Sequence, residues 1–192
     1  MTSDKEREDG AIAQGEADSS PTAAKTAVPL FGKTNQLSPL ALRLALVFAT
    51  GFGVGYSPVA PGTLGAALGV GVYCLLLLVG ALNITVPLVS IALFFVGLYF
   101  SFIAEHHFQQ KDCQKIVVDE LASFPLTMLF ISPSPMRIAI AFALNRAADI
   151  LKPFPAGRIQ KLKGGWGIML DDTVAAIYAN LLLRLVILAF KI

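Results

Sequence analysis

The sequence predicts an all-α protein, a polytopic bundle of membrane helices with about four spans and its site loops on the cytoplasmic side. Three observations carry this. Hydrophobic residues make up 55% of the 192, the mean hydropathy is +0.68, and no charged residue falls between Arg43 and Glu105. A soluble chain of this length cannot place so much apolar surface in one core. In a bilayer, only helices and closed barrels satisfy their own backbone.

Taken in order, residues 1–38 hold six acids and four bases among Ser, Thr, Ala and Gly, too polar to fold alone and without the basic-then-apolar order of a signal peptide. They read as a disordered cytoplasmic tail preceding a membrane-embedded domain over 39–192. Residues 40–50 are too short to cross and read as a segment that lies in the interface or dips in before the glycines. Residues 64–82 and 86–104 are each long enough to span and form a helical hairpin around an uncharged turn at 83–85. Residues 121–132 and 137–151 are short and meet at "SPSP", a strong helix breaker. They make two short tilted spans or one re-entrant hairpin. Residues 173–190 form the last span, in which Arg184 must snorkel or pair.

Loop charge sets the orientation. The connections at 105–115 and 152–168 carry Lys111, Lys115, Lys152, Arg158, Lys161 and Lys163, whereas the turns near 83 and 133 carry no base before Arg137. The charged loops are therefore expected on the cytoplasmic face. "GFGVGYSPVAPGTLG", residues 51–65, precedes the first span and shares that face.

Beyond the tail, eleven bases stand against seven acids, a balance suited to anionic lipid headgroups. No basic run interleaved with aromatics suggests nucleic acid. Cys74 and Cys113 read as unpaired thiols. His106 and His107 are adjacent, so on a helix they point about 100° apart and cannot form an i, i+4 zinc pair. Tyr56, Phe154 and Trp166 lie where interfacial aromatics belong.

Five of the seven acids are membrane-proximal: Asp119 and Glu120 in "KIVVDELASF", Asp149 in "NRAADILKPFP", and Asp171 and Asp172 in "GGWGIMLDD". A carboxylate at mid-helix costs about 2.5 to 3.5 kcal/mol to insert, so five together call for a cation. An oxygen-rich set suits a hard divalent ion, and Mg2+ shares its shell with phosphate oxygens. Each group also has a plainer reading. Asp171 and Asp172 serve as an acidic N-cap of the last span, and Asp119 with Glu120 as a first-turn pair. Arg146, Asp149 and Lys152, at i, i+3 and i+6, make either a phosphate-facing stripe or an intrahelical ion pair with a snorkelling lysine. The glycines of 51–65 either turn backbone N–H groups toward an anion, with Thr63 adding a hydroxyl, or allow close packing. For Gly65 and Gly69, at GxxxG spacing, packing is the preferred reading.

The four motifs, in this order and at these distances, resemble the phosphatidylglycerophosphatase A family over residues 48–180. That resemblance implies a Mg2+-dependent phosphatase of the bacterial cytoplasmic (inner) membrane, acting on a phospholipid of the cytoplasmic leaflet: it removes the terminal phosphate of phosphatidylglycerophosphate. By position, the family's acids fall on Asp119, Glu120, Asp149, Asp171 and Asp172, and its basic and proline positions on Arg146, Lys152, Pro153 and Pro155. Its glycine loops fall on Gly53, Pro58, Pro61, Gly62, Thr63, Gly164, Gly165 and Gly167. The expected metal ligands are Asp119, Glu120, Asp171 and Asp172. Phosphate is expected on Lys152, Arg146 and the two glycine loops, with Asp149 orienting Lys152 or water. Ala66, Ser123 and the pair Ala175 and Ala176 depart from the family's usual residues, none removing a charge.

The alternative from another class is a small cation transporter or channel using the same carboxylates. It predicts acids near the midplane of broken helices, usually in two repeated halves. Here the acids sit beside bases near one face, and the chain shows no repeat.

Overall fold

A computed structural model describes residues 37–110, 113–162 and 164–192. The expected tail, except Leu37 and Ser38, lies outside the described residues. Those residues form seven α-helices and no strand: α1 (Pro39–Ala49), α2 (Pro61–Val79), α3 (Leu82–Phe108), α4 (Val118–Thr127), α5 (Pro135–Leu151), α6 (Ala156–Ile159) and α7 (Gly165–Phe190), with a 3-10 turn at Val54–Tyr56. The protein is a helical bundle, as the composition predicts.

α2, α3 and α7 are long and apolar enough to cross a membrane. At 1.5 Å per residue they are about 28 to 40 Å long, against a hydrocarbon core of about 30 Å. The fourth region is two short legs: α4 and α5, of 10 and 17 residues, reach only about 15 and 26 Å. Ser134 starts α5, its side chain accepting from the Arg137 N–H at 3.2 Å, with Pro135 in the first turn.

Two boundaries differ from the sequence reading. The turn expected at 83–85 is helical, and the break falls at Gly80 and Ala81, both with positive φ. Gly80 takes that backbone without a Cβ penalty, and the Thr85 hydroxyl donates to its carbonyl at 3.1 Å, so α3 can begin at once. Helix α7 begins at Gly165 instead of 173. Gly165 lets it lie on α3, since a Cβ there would stand 2.8 Å from the Leu98 carbonyl oxygen. Asp171 and Asp172 are therefore in its second turn and are not N-caps.

Glycines also bring α2 onto α4. A Cβ on Gly65 would meet the Val117 Cβ at 2.8 Å, and one on Gly69 the Leu121 carbonyl oxygen at 2.6 Å. This is the packing use expected for that pair. The Val117 N–H donates to the Ala49 carbonyl at 3.0 Å, tying the segment before α4 to the end of α1.

The apolar interior has two centres. One, including Ala49, Leu98, Ile116, Val118 and Met169, lies beneath the starts of α4 and α7. The other, including Tyr73, Val86, Phe124, Met128 and Leu183, lies at the opposite end, under the α4–α5 break. Trp166 packs on the first centre, tilted against Phe94, while Tyr56 and Phe154 are exposed. Both cysteines are free.

At the α4–α5 break the backbone is satisfied by side chains. Asn180 donates to the carbonyls of Thr127 and Leu129 at 2.7 and 3.0 Å. Arg184 pairs, as its position in a span requires: Nη2 donates to the Leu129 carbonyl and Nε to Asn180 Oδ1, both at 2.8 Å. Arg137 reaches the Ser132 carbonyl at 2.9 Å.

Candidate active site

The starts of α2, α4 and α7 and the end of α5 meet at one end of the bundle, and each brings polar groups to the same place. Helix α4 opens with Asp119 and Glu120 in its first turn, where the helix dipole favours carboxylates. Helix α7 contributes Asp171 and Asp172 from its second turn, both 4% exposed. Helix α5 supplies Arg146 and Asp149, then ends at Lys152, whose φ of 43° takes it out of the helix.

Carboxylate oxygens of Asp119, Glu120 and Asp172 all lie within 4.8 Å of one another. Asp119 is 7% exposed, and its Oδ1 and the Glu120 Oε2 are buried with no hydrogen-bond partner. Helix α4 is not one of the three spans, and burial pushes the carboxyls of both its acids up from their ordinary values. For Asp119 the neighbouring charges of Glu120 and Asp172 add to the push. Three converging buried or half-buried acids, two of them with unpartnered oxygens, are expensive unless a cation joins them. The donor set is all oxygen and partly unoccupied by hydrogen bonds, which fits a hard divalent ion.

The other two acids hold bases. Lys152 Nζ stands 2.8 Å from Asp171 Oδ2. Arg146 Nη1 stands 3.0 Å from Asp149 Oδ2. Lys152 thus leaves the stripe predicted along α5 and crosses to α7, because its left-handed backbone turns the side chain away from the helix face. Asp149 is the partner of Arg146 and also faces Glu120 and Asp172. Asp171, expected with the metal ligands, is the partner of Lys152 and lies outside the convergent three.

The glycine motifs divide. Gly62 sits directly against the site: a Cβ there would collide with Glu120 Oε1 and lie 3.1 Å from Arg146 Nη2. Pro61 and Thr63 flank it in the first turn of α2, which has Ala60 before it and no side-chain cap. Gly53, with φ of 91°, has open space around its Cβ position. Pro58 is exposed. Gly164 and Gly165 press on Phe102 and the α3 backbone, and Gly167 on the carbonyls of Gln160 and Leu162. Pro153 and Pro155 shape the turn between α5 and α6, which Tyr178 holds by donating to the Phe154 carbonyl at 2.8 Å. His106 and His107 are exposed at the end of α3.

Sequence reading did not find the support under Glu120. Asn145 Nδ2 donates to Ser123 Oγ at 3.0 Å, and Ser123 donates to the Glu120 carbonyl at 2.9 Å. This line runs from α5 to the acid-bearing turn of α4. Asn145 is buried at 2% exposure beside Arg146, and an amide in an apolar helix was the available signal.

Residues 47–187 match the family model described as Phosphatidylglycerophosphatase A. The chain belongs to this family. It is accordingly an enzyme, a phosphoric monoester hydrolase. Among curated relatives, the Phosphatidylglycerophosphatase A of Haemophilus influenzae is 39% identical over 150 residues, 77% of this chain and 88% of the relative. That of Escherichia coli is 30% identical over 134 residues, 68% and 76% of the two chains. A Bacteroides thetaiotaomicron protein provisionally named a phosphatidylinositol-3-phosphatase is 34% identical over 147 residues, 73% of this chain and 91% of that one. No solved structure matches significantly. Within the phosphatidylglycerophosphatase A family, this chain thus carries five buried or half-buried acids and two bases at one end of a membrane bundle.

Proposed function

We propose that the protein is a Mg2+-dependent lipid phosphatase of the bacterial cytoplasmic membrane, hydrolysing the terminal phosphomonoester of phosphatidylglycerophosphate to phosphatidylglycerol and phosphate. The observation that carries this reading is the convergence of Asp119, Glu120 and Asp172, two of them with unpartnered buried oxygens, beside two bases that are themselves held by acids. Family membership supplies the reaction, and the names of the Haemophilus and Escherichia relatives supply the headgroup.

In this reading Asp119, Glu120 and Asp172 would hold the ion. When bound, Mg2+ would polarise the phosphomonoester and offset the charge that develops on it. Arg146 keeps a planar fork of donors near the acids, fixed on Asp149, and such a fork suits phosphate oxygens. Lys152 Nζ is held by Asp171 and supplies a second positive centre. Gly62 and Thr63 begin α2, where first-turn N–H groups lack a carbonyl one turn back, so they are ready donors to an anion. The absence of a side chain at Gly62 keeps this approach open. Gly53, Gly164, Gly165 and Gly167 would act by shaping the loops and seating α7 on α3.

The excess of Lys and Arg in the loops at this end supports a site on the cytoplasmic face. A substrate phosphate in that leaflet then meets the acids without leaving the headgroup layer. The Bacteroides relative's name introduces a second headgroup, phosphatidylinositol 3-phosphate, which the test must include.

The experiment is phosphate release by purified, detergent-solubilised protein from phosphatidylglycerophosphate and from phosphatidylinositol 3-phosphate, with Mg2+ or with EDTA. Release from the first, abolished by EDTA, is the expected result. Release only from the second would move the substrate assignment. No release from either lipid under any divalent cation, by protein shown to be folded, would overturn the phosphatase reading and favour ion transport.

A further inference from the structure

Between α3, α4 and α7 lies a cavity of about 200 Å3. Ile91, Phe94 and Phe95 of α3, Ala122 and Leu126 of α4, and Met169 of α7 form its apolar walls, and Asp119 lines it too. It therefore borders one member of the acid cluster. Ile91 and Phe95 are more than half exposed on a spanning helix, where the surroundings are hydrocarbon. The cavity is thus bordered by Asp119 at one end and by residues that face lipid along its side.

Its depth follows from α3. Gly97 lies against Val118, next to Asp119, with a Cβ position 3.5 Å from a Val118 methyl. Ser90, also in the lining, is seven residues further along α3, roughly 10 Å along the axis. So the lining runs about two helical turns away from the acids.

Ser90 is the feature that packing does not explain. A buried serine or threonine in a helix commonly returns its hydroxyl to the carbonyl one turn back. Thr173, in the same lining, does so to Met169 at 2.7 Å. Ser123 is also engaged, with the Glu120 carbonyl and Asn145. The Ser90 hydroxyl is 7% exposed as a residue and has no partner. A buried hydroxyl without a partner in an apolar wall is a donor awaiting an acceptor.

The geometry points to an acyl-chain subsite: the cavity receives the ester and first methylenes of one chain of the phospholipid monoester, and Ser90 Oγ donates to the ester carbonyl. This deepens the proposed function and rests on it for the position of the phosphate. A lipid phosphate among the acids must send its chains toward hydrocarbon, and the α2 side is closed, since Gly65 and Gly69 seat α2 directly on α4. The α3–α4–α7 side has the space, the apolar lining and the one kind of polar group an ester needs.

The test uses full-length protein in nanodiscs with two photoactivatable lipids, each carrying a diazirine near the ester end of one acyl chain. One is a phosphatidylglycerophosphate and the other a phosphatidylcholine, and labelled peptides are mapped by mass spectrometry. The expected result is labelling of residues 90–95 and 122–126 by the first lipid, at least tenfold above the second, and lost in Ser90→Phe. Phosphate release by Ser90→Phe should fall at least tenfold in kcat/KM for a long-chain substrate and change less than twofold for a water-soluble analogue without acyl chains. Ser90→Ala, which leaves space intact, should raise KM for the long-chain lipid several-fold with kcat unchanged. Equal labelling by both lipids, or equal loss on both substrates, would overturn the subsite. If the wild type labels as expected yet releases no phosphate from any lipid, the subsite stands as a lipid site and the phosphatase reading fails.

Discussion

At the α4–α5 break, Thr127, Leu129 and Ser132 lose helical partners for their carbonyls, and Asn180, Arg184 and Arg137 each reach in to replace them. At the other end of the same helix α4, the side chains are arranged the opposite way. Asp119 and Glu120 turn carboxylates inward beside Asp172, and oxygens on both α4 acids are left buried without partners. One end of α4 is completed by the protein itself; at the other, carboxylate oxygens stay buried without a partner. In a buried interior without water the first arrangement is what folding requires. The second is a standing cost, which in the proposed function a bound cation and substrate would offset.

This contrast predicts opposite responses to neutral substitutions. Asp172→Asn removes one of three converging charges, so phosphate release should fall by about 100- to 1000-fold, on the scale of losing an essential electrostatic contact. The folded protein without metal should be no less stable, because mutual repulsion is relieved. Thermal melting in EDTA beside a phosphate assay checks both. A variant that loses activity only because it melts earlier would mean that Asp172 supports the fold and not the reaction.

Added metal should also act on the acid end of α4 alone. An ion that binds the folded state at a hundred times its Kd adds about 2.7 kcal/mol of stability. The wild type should therefore melt later in saturating Mg2+ than in EDTA, and Asp172→Asn should lose most of that increment. An increment that survives the substitution would mean that the ion is held elsewhere.

How much of this was visible in the sequence follows the same division. The acids were legible because a carboxylate in an apolar context is costly wherever it ends up, so Asp119, Glu120, Asp149, Asp171 and Asp172 could be picked out without a fold. Their partners were not. Spacing along α5 joins Arg146, Asp149 and Lys152 on one face, but the left-handed turn at Lys152 sends it to Asp171, a contact between residues 19 apart. The start of α7 was missed because "GGWG" reads as a loop, and only the nearness of α3 makes glycines favourable in that helix. Ser90 gave no signal, since a serine in an apolar run is unremarkable until its hydroxyl is seen to lack a partner.

Gly62 tests how tightly the ligand-accepting end is built. Alanine there is compatible with a helical first turn, but its Cβ would overlap Glu120 Oε1 and crowd Arg146. Gly62→Ala should lower kcat/KM by about 10- to 100-fold, the loss expected when positioning groups shift by a fraction of an ångström to 1 Å. Its melting point should stay within a few degrees of the wild type. Activity near wild type would mean that Glu120 and Arg146 can move aside without consequence, and that neither is positioned as proposed.

The smallest effect belongs to the end that the protein completes itself. Asn180→Ala removes the amide that donates to Thr127 and Leu129 and accepts from Arg184. Hydrogen bonds between membrane helices are worth about 0.6 kcal/mol on average and up to about 1.7, and Arg184 still holds Leu129 through Nη2. The variant should therefore lose about 1 kcal/mol in denaturant titration, while kcat and KM per folded molecule stay within twofold. Because α4 is one rigid helix joining both ends, a large fall in kcat here would mean that the break sets the position of Asp119 and Glu120. The two ends would then be one coupled device instead of two independent solutions to burying polar groups in a membrane.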